Sequence, residues 1–225
     1  MKLNHKVRLL ITCDSSAGAG KTTAAKYLSK RFGLSLLTSG LLYRFVAYKL
    51  MISKRKVTDI VFLKKITKNI NSKHLKNRKL YSSEVTELTS EVAKIKKVRM
   101  LLRGYQKKFA KKRLAICEGR DQGILFNNAD VKFFFKCSLK IAARRRFKEF
   151  RKTNKKITLK EVESAIKHRN YTDVTRAFMP LRIPPGAVIV STSSISKKEM
   201  FRRISRIVEK KLLLKYGRNY KARSK

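Results

Sequence analysis

The chain has 225 residues, 58 Lys and Arg against 14 Asp and Glu, and a formal net charge of +44. A hydrophobic fraction of 43% is enough for a globular core, and three Pro and nine Gly exclude a low-complexity or collagen-like chain. No apolar run is long enough for a transmembrane helix, and the run at 7–13 is broken by Arg8 and too short for a signal peptide, so the cytoplasm is the expected location.

Residues 7–13 form an apolar, β-branched run that reads as a buried strand ending at a Ser/Gly-rich turn. Residues 20–32 have helical spacing, with Ala24, Ala25, Leu28 and Phe32 on one stripe, and stop at Gly33. A short strand is expected at 35–37 and a helix at 41–51. Residues 52–83 are Lys-rich and weakly periodic, which leaves their structure open. Residues 84–112 read as mostly helical, followed by strands at 114–117 and 131–135 and a very basic helix at 138–151. A helix at 158–168 opens on a capping box, Thr158 with Glu161. A last strand falls at 187–190, and a helix at 196–214 opens on a second box, Ser196 with Glu199. The basic tail, 215–225, is expected to fray. Strands separated by helices predict an α/β fold, a parallel β-sheet core flanked by helices.

Cys13, Cys117 and Cys137 are widely spaced and sit in or beside apolar runs, so neither a disulfide framework nor a zinc site is suggested. The cations are spread along the whole length rather than gathered into one arm, so nucleic-acid binding is not expected as the main function.

Ser15, Ser16, Ala17, Gly18, Ala19, Gly20, Lys21 and Thr22 lie between the first strand and the first helix, the setting of a phosphate-binding loop. Gly18 and Gly20 let backbone N–H groups turn inward around phosphate oxygens, and the helix N-terminus adds a positive dipole end. Lys21 would reach the β- and γ-phosphates, and Thr22 or Thr23 could ligate Mg²⁺. Ser15 occupies the first position of the GxxxxGK(S/T) pattern; if that position needs φ > 0, Ser strains the turn by about 1 kcal/mol. Such a loop alone serves ATPases, GTPases, kinases and motors alike.

Three more clusters narrow the reading. Ser39 and Arg44 follow the second strand and could share a small anion, with Tyr43 as neighbour. Glu118, Gly119, Arg120 and Asp121 follow the strand at 114–117, where open α/β sheets bind ligands. Arg169, Asp173 and Arg176 are spaced as neighbours on a helix, which suits either a structural ion-pair ladder or a polar pocket wall. Arg144, Arg145 and Arg146 on their own read as a solvated charge run.

The ordered set DSSAGAGKTT (14–23), TSGLLYR (38–44), TSEVAKIKKVR (89–99), EGRDQGILFNNAD (118–130) and RNYTDVTRAFMPL (169–181) resembles the bacterial-type cytidylate kinases of the P-loop nucleoside monophosphate kinase superfamily, from residue 8 to about residue 212. The resemblance implies transfer of the ATP γ-phosphoryl group to CMP or dCMP, with Mg²⁺, by a monomer. It implies a core at 1–48, 110–140 and 180–214, a monophosphate-binding insert at about 49–109 and a lid at about 141–179. ATP would be held by residues 15–23, Thr23 included, and by Arg146. CMP would be held by Ser39, Tyr43, Arg44, Ser90, Arg99, Arg120, Asp121, Arg169, Asp173 and Arg176. Lys21, Arg145 and Arg146 would be catalytic, and Thr22 would reach the metal. Beside Ser15, the chain departs from the family pattern at Thr38, Tyr81, Gln122, Ile124 and Ser191.

Overall fold

A continuous apolar stretch with no polar alternation is what a strand covered on both faces requires. β1 (Leu9–Ser15) opens on the apolar Leu9, Leu10 and Ile11, is buried almost throughout, Thr12, Asp14 and Ser15 included, and is the central strand of a five-stranded parallel sheet of order β2-β3-β1-β4-β5. β2 is Ser35–Thr38, β3 Leu114–Gly119, β4 Val131–Lys136 and β5 Val188–Ser191. The register sets Ile11 beside Ile116 on one side and Val131 on the other, and Phe133 beside Val188. Both the phosphate loop and the segment after β3 therefore leave the sheet at the C-terminal ends of adjacent strands, where the strand order reverses. The computed structural model describes residues 1–151 and 156–222. The chain divides into two units, Met1–Leu36 with Arg113–Lys225, and Leu37–Lys112.

In the larger unit, α1 (Lys21–Phe32) buries Ala24, Ala25, Leu28 and Phe32 against the sheet and ends at Gly33, whose φ of 66° lets its N–H reach the Ser29 carbonyl. α9 (Lys197–Tyr216) buries Met200, Ile204, Val208 and Leu212 in the same core. The remaining helices are α6 (Gln122–Leu125), α7 (Leu139–Phe150) and α8 (Leu159–Thr175). α7 and α8 share an apolar cluster of Ala142, Ala143, Val162 and Ile166, against which Ala17 also packs. The Thr158 capping box is present in full. α8 runs seven residues past the expected end at 168, to Thr175; it stops where Arg176 adopts ψ 136°, four residues before Pro180.

The tail is not frayed where it is described. Tyr220 is buried, Lys221 bridges Leu3 in antiparallel fashion, and the Asn4 N–H donates to the Tyr220 carbonyl at 2.9 Å. The Tyr216 hydroxyl donates to the Arg8 carbonyl at 2.8 Å and accepts from the Arg8 N–H at 3.0 Å. Two tyrosines supply enough buried surface to hold a cationic segment down. Residues 223–225 of the expected tail and 152–155 of the expected lid lie outside the described residues.

The smaller unit is helical: α2 (Ser39–Ile52), α3 (Ile60–Lys68), α4 (Ser83–Val92) and α5 (Lys96–Ala110), with 3₁₀ turns at His74–Lys76 and Arg78–Tyr81. Its core is Leu42, Val46, Leu63, Leu80, Val85, Val98 and Leu102. The segment left open by the sequence holds α3, started by the Asp59 side chain accepting the Phe62 N–H at 2.9 Å and buried through Leu63 and Ile66.

Candidate active site

Residues 16–20 carry the chain from β1 into α1. Gly18 has φ 74° and a Cβ there would lie 2.8 Å from the Ala142 Cβ, so this position needs glycine both for its backbone and for the approach of α7. Gly20 has φ 86° and needs glycine for conformation alone. Ser15 carries none of the strain that the sequence pattern raised. It is the last residue of β1 and is not among the positive-φ residues; the only non-glycine ones described are Lys54 and Met179. Its hydroxyl donates to the Ser16 carbonyl at 2.6 Å.

The outer surface of the loop is held by residues distant in sequence. The Ser15 and Ser16 carbonyls accept from Arg120 Nη1 at 2.6 and 3.0 Å. Arg120 Nε donates to Asp173 Oδ2 at 2.7 Å, and Arg176 Nη1 donates to Asp173 Oδ1 at 3.1 Å. Asp173 thus joins Arg120 to Arg176, while Arg176 Nε also caps the Met179 carbonyl at 2.6 Å. The Ala17 N–H donates to Asn170 Oδ1 at 2.9 Å, tying α8 to the loop. The Ala19 carbonyl accepts from the Thr192 hydroxyl at 3.1 Å, and Thr192 in turn accepts from Arg145, whose Nη2 lies 2.6 Å from the Thr192 carbonyl. Arg145 is therefore linked to the loop through Thr192. Arg146 pairs with Glu149 at 3.0 Å and stacks over Phe150 at 4.7 Å.

At the start of α1, Lys21 Nζ lies 3.9 Å from Glu118 Oε2, and the Thr22 hydroxyl donates to Glu118 Oε1 at 3.1 Å. Burial, followed by the neighbouring Arg120, pulls the Lys21 ammonium from 10.5 down to about 8; Glu118 opposes that shift and Arg169 adds to it. A buried lysine whose ammonium is disfavoured by burial and by neighbouring arginines is a site that favours an added polyanion. Asp14 is fully buried at the end of β1 and accepts the Gln122 N–H at 2.8 Å and the Gly123 N–H at 2.6 Å. Burial pushes its carboxyl up to about 7 against the pull of those two N–H groups, and Asp121 pushes it further. Asp14 thereby fixes the turn that carries Arg120 and Asp121. Gln122 Nε2 donates to Asp121 Oδ1 at 2.9 Å. A Cβ at Gly123 would meet Pro184 at 2.5 Å, so the turn closes only with glycine there.

Within the smaller unit, Ser39 is buried in the first turn of α2. The Arg99 guanidinium, on α5, sits 5.3 Å over the Tyr43 ring and donates to the Ala93 carbonyl at 2.9 Å. Arg44 Nη1 donates to the Leu80 carbonyl at 2.7 Å and to the Thr86 hydroxyl at 2.9 Å, with its guanidinium 5.4 Å from the Tyr81 ring. Tyr81, which departs from the family pattern, thus stacks under Arg44. Ser90 is half-buried on α4.

Sequence reasoning assigned no role to Asp14, Asn170 or Thr192, and gave Glu118 only a place in its motif. Asp14 and Glu118 share one legible signal: each is an acid closing an apolar strand in a chain with 14 acids. For Asn170 and Thr192 no local signal exists, because their partners lie far away along the chain. Among the described residues no group of three or more His, Cys, Asp or Glu is placed to hold a metal. The Thr22 hydroxyl beside the Glu118 carboxylate is a hard oxygen pair, which fits Mg²⁺ completed by phosphate oxygens and water.

The family model described as cytidylate kinase matches residues 11–210. The chain is 32% identical over 214 residues to the cytidylate kinase of Fusobacterium nucleatum subsp. nucleatum, covering 90% of this chain and 98% of that one. It is 31% identical over 210 residues to the cytidylate kinase of Alkaliphilus oremlandii, covering 88% and 97%. Among solved structures, an uncharacterized protein from Eubacterium ventriosum superposes with a TM-score of 0.56 at 11% identity, over 90% of this chain and 99% of that one, a likeness of fold.

Proposed function

The chain belongs to the cytidylate kinase family, and from that premise we propose how its own residues carry out the reaction. The protein is an ATP-dependent phosphotransferase that moves the γ-phosphoryl group of ATP to CMP, giving ADP and CDP. We extend the acceptor to dCMP.

The phosphates of ATP lie in the loop of residues 15–23, against the free N–H groups at the start of α1. Lys21 neutralises charge on the β- and γ-phosphates. The observation that carries this reading is the place of Lys21, first residue of α1, directly after a loop whose Gly18 and Gly20 have φ of 74° and 86°, with its Nζ 3.9 Å from Glu118 Oε2. When Mg²⁺ accompanies ATP it supplies further neutralisation of the β- and γ-oxygens, and Thr22 is the residue that would hold it, with Glu118 next to the hydroxyl. We assign CMP binding to Ser39, Tyr43, Arg44, Ser90, Arg99, Arg120, Asp121, Arg169, Asp173 and Arg176. A phosphate dianion is already a nucleophile, so the residues' task is alignment and charge neutralisation rather than general-base catalysis.

Asp173 and the Ser15 and Ser16 carbonyls lock Arg120, so its charge is preorganised. Arg145 and Arg146 act on the transferring group once residues 141–179 close as a lid and residues 49–109 close as the monophosphate-binding insert, excluding water that would otherwise take the phosphoryl group. The same reading makes the enzyme a cytoplasmic monomer. No helix among the described residues is long and apolar enough to cross a membrane.

A coupled ADP-release assay with CMP, dCMP, UMP and AMP in turn tests the acceptor. CMP and dCMP are expected to support turnover at least about a hundredfold faster in kcat/KM than AMP, a difference of about 3 kcal/mol. A preference for AMP would overturn the assignment.

A further inference from the structure

α9 has a use for its inner face and none yet for its outer one. At 1.5 Å per residue its 20 residues extend about 30 Å. Its apolar stripe of Met200, Ile204, Val208 and Leu212 is spent on the core. The exposed side carries Lys197, Lys198, Arg202, Arg203, Arg206, Lys210, Lys211 and Lys215. Both glutamates of the helix are already engaged, Glu199 with Arg202 and Arg203, and Glu209 with Arg31. Nothing on the helix is left to balance Lys198, Arg206, Lys210 and Lys211.

Lys198, Arg202, Arg206 and Lys210 stand four residues apart. They form one inclined row across the exposed face, with about 6 Å of axial rise between members. At its C-terminal end the row runs into a groove of about 370 Å³ between α9 and the sheet, where Lys132 joins Lys210 and Lys211. The one acid in that groove, Asp130, is taken up by Lys215 at 2.7 Å and by the Leu10 N–H at 2.8 Å.

We propose that the exposed face of α9 binds the phosphodiester backbone of a nucleic-acid duplex. Four cations about 6 Å apart along the helix axis suit contacts to about four phosphates of a duplex. The face provides no ring for stacking an unpaired base: Phe201 is stacked on Tyr27 at 4.0 Å, and the Tyr216 hydroxyl is bonded to Arg8. An anionic membrane fits less well, because the apolar stripe a membrane helix needs faces inward and only Leu213 and Leu214 remain outside. This binding is separate from phosphoryl transfer and does not depend on the acceptor assignment.

The test is fluorescence anisotropy of the whole protein with labelled RNA and DNA duplexes of one arbitrary sequence, about 20 base pairs long, between about 50 and 200 mM salt. With about four phosphate contacts the slope of log K against log salt is about −3.6, a loss of about a hundredfold over that range. Replacing Lys198, Arg206, Lys210 and Lys211 by Gln is expected to weaken binding at least tenfold at the lower salt, to flatten the slope by about 3 units, and to leave CMP turnover at the wild-type rate. Replacing Lys54, Lys56, Lys64 and Lys68 of the smaller unit by Gln is expected to change affinity less than about threefold. Binding of either duplex with this pattern supports the proposal. Equal losses in the two quartets, tighter binding to phosphatidylserine vesicles than to duplex, or no duplex binding at the lower salt would each overturn it.

Discussion

Asp173 is the carboxylate that Arg120 and Arg176 share. Its two carboxylate oxygens take Arg120 and Arg176 at 2.7 and 3.1 Å, and the three side chains are 12%, 14% and 5% exposed. Asp173→Asn keeps the shape and one acceptor oxygen but removes the charge that two largely desolvated guanidinium groups share. Breaking a buried pair from one side costs about 3–5 kcal/mol; the retained carbonyl places this variant near the lower end, about 3 kcal/mol. For a chain of this size that lowers Tm by roughly 6–12 °C. Asp173 also holds the Lys21 ammonium up, so the variant's lysine falls further below about 8 and ATP affinity near neutral pH drops. On the proposed assignment CMP would bring a phosphate dianion to the same arginines, so saturating CMP is expected to raise Tm more in the variant than in the wild type. Differential scanning fluorimetry with and without CMP reads both effects. A variant melting within about 2 °C of wild type, or one that CMP rescues no better, would refute the idea that Asp173 balances these charges.

Three further outcomes follow from the same charges and contacts. Lys21 must be charged to bind phosphate, so ATP affinity is expected to fall as pH rises through about 8, with proton uptake on binding near that pH; calorimetry in buffers of differing ionisation enthalpy detects it, and no uptake would contradict the buried, cation-flanked lysine. For stability the signs are opposite. Asp14, raised to about 7, binds more protons when folded and loses stability as pH rises from about 4 to 7, while Lys21, lowered to about 8, binds fewer when folded and gains stability from about 8 to 10, so among these two groups the nucleotide-free enzyme has its minimum urea midpoint between about pH 7 and 8. Gly18→Ala places a Cβ 2.8 Å from the Ala142 Cβ at a φ of 74°, and is expected to cost about 1–3 kcal/mol in urea melts and to raise KM for ATP more than KM for CMP.

The parts of the molecule legible in the sequence are those whose cause is local. β1 is legible from its apolar, β-branched run before a Ser/Gly-rich turn, α1 stops where Gly33 adopts a left-handed conformation, and Gly18 and Gly20 mark the loop because other residues rarely take their φ. α3 was hidden because its buried contacts are few, Leu63 and Ile66 among lysines, and because its stability comes from packing on α5. The docked tail was hidden because Tyr216 and Tyr220 sit among cations and their partners lie at the opposite end of the chain. Lys21 and the arginines proposed for the site announce themselves through their motifs. The residues that fix them, Asp14 behind Arg120 and Asn170 and Thr192 behind the loop, work across long sequence separations that no spacing encodes.

The most direct measurement follows the phosphoryl group itself. With ATP labelled at the γ-phosphorus and CMP as acceptor, the account predicts that label appears in CDP in step with ADP. It also predicts that Lys21→Ala slows this transfer by at least about a hundredfold while CMP affinity is kept. Label released as inorganic phosphate without CDP, or a Lys21→Ala enzyme that transfers at nearly the wild-type rate, would contradict it.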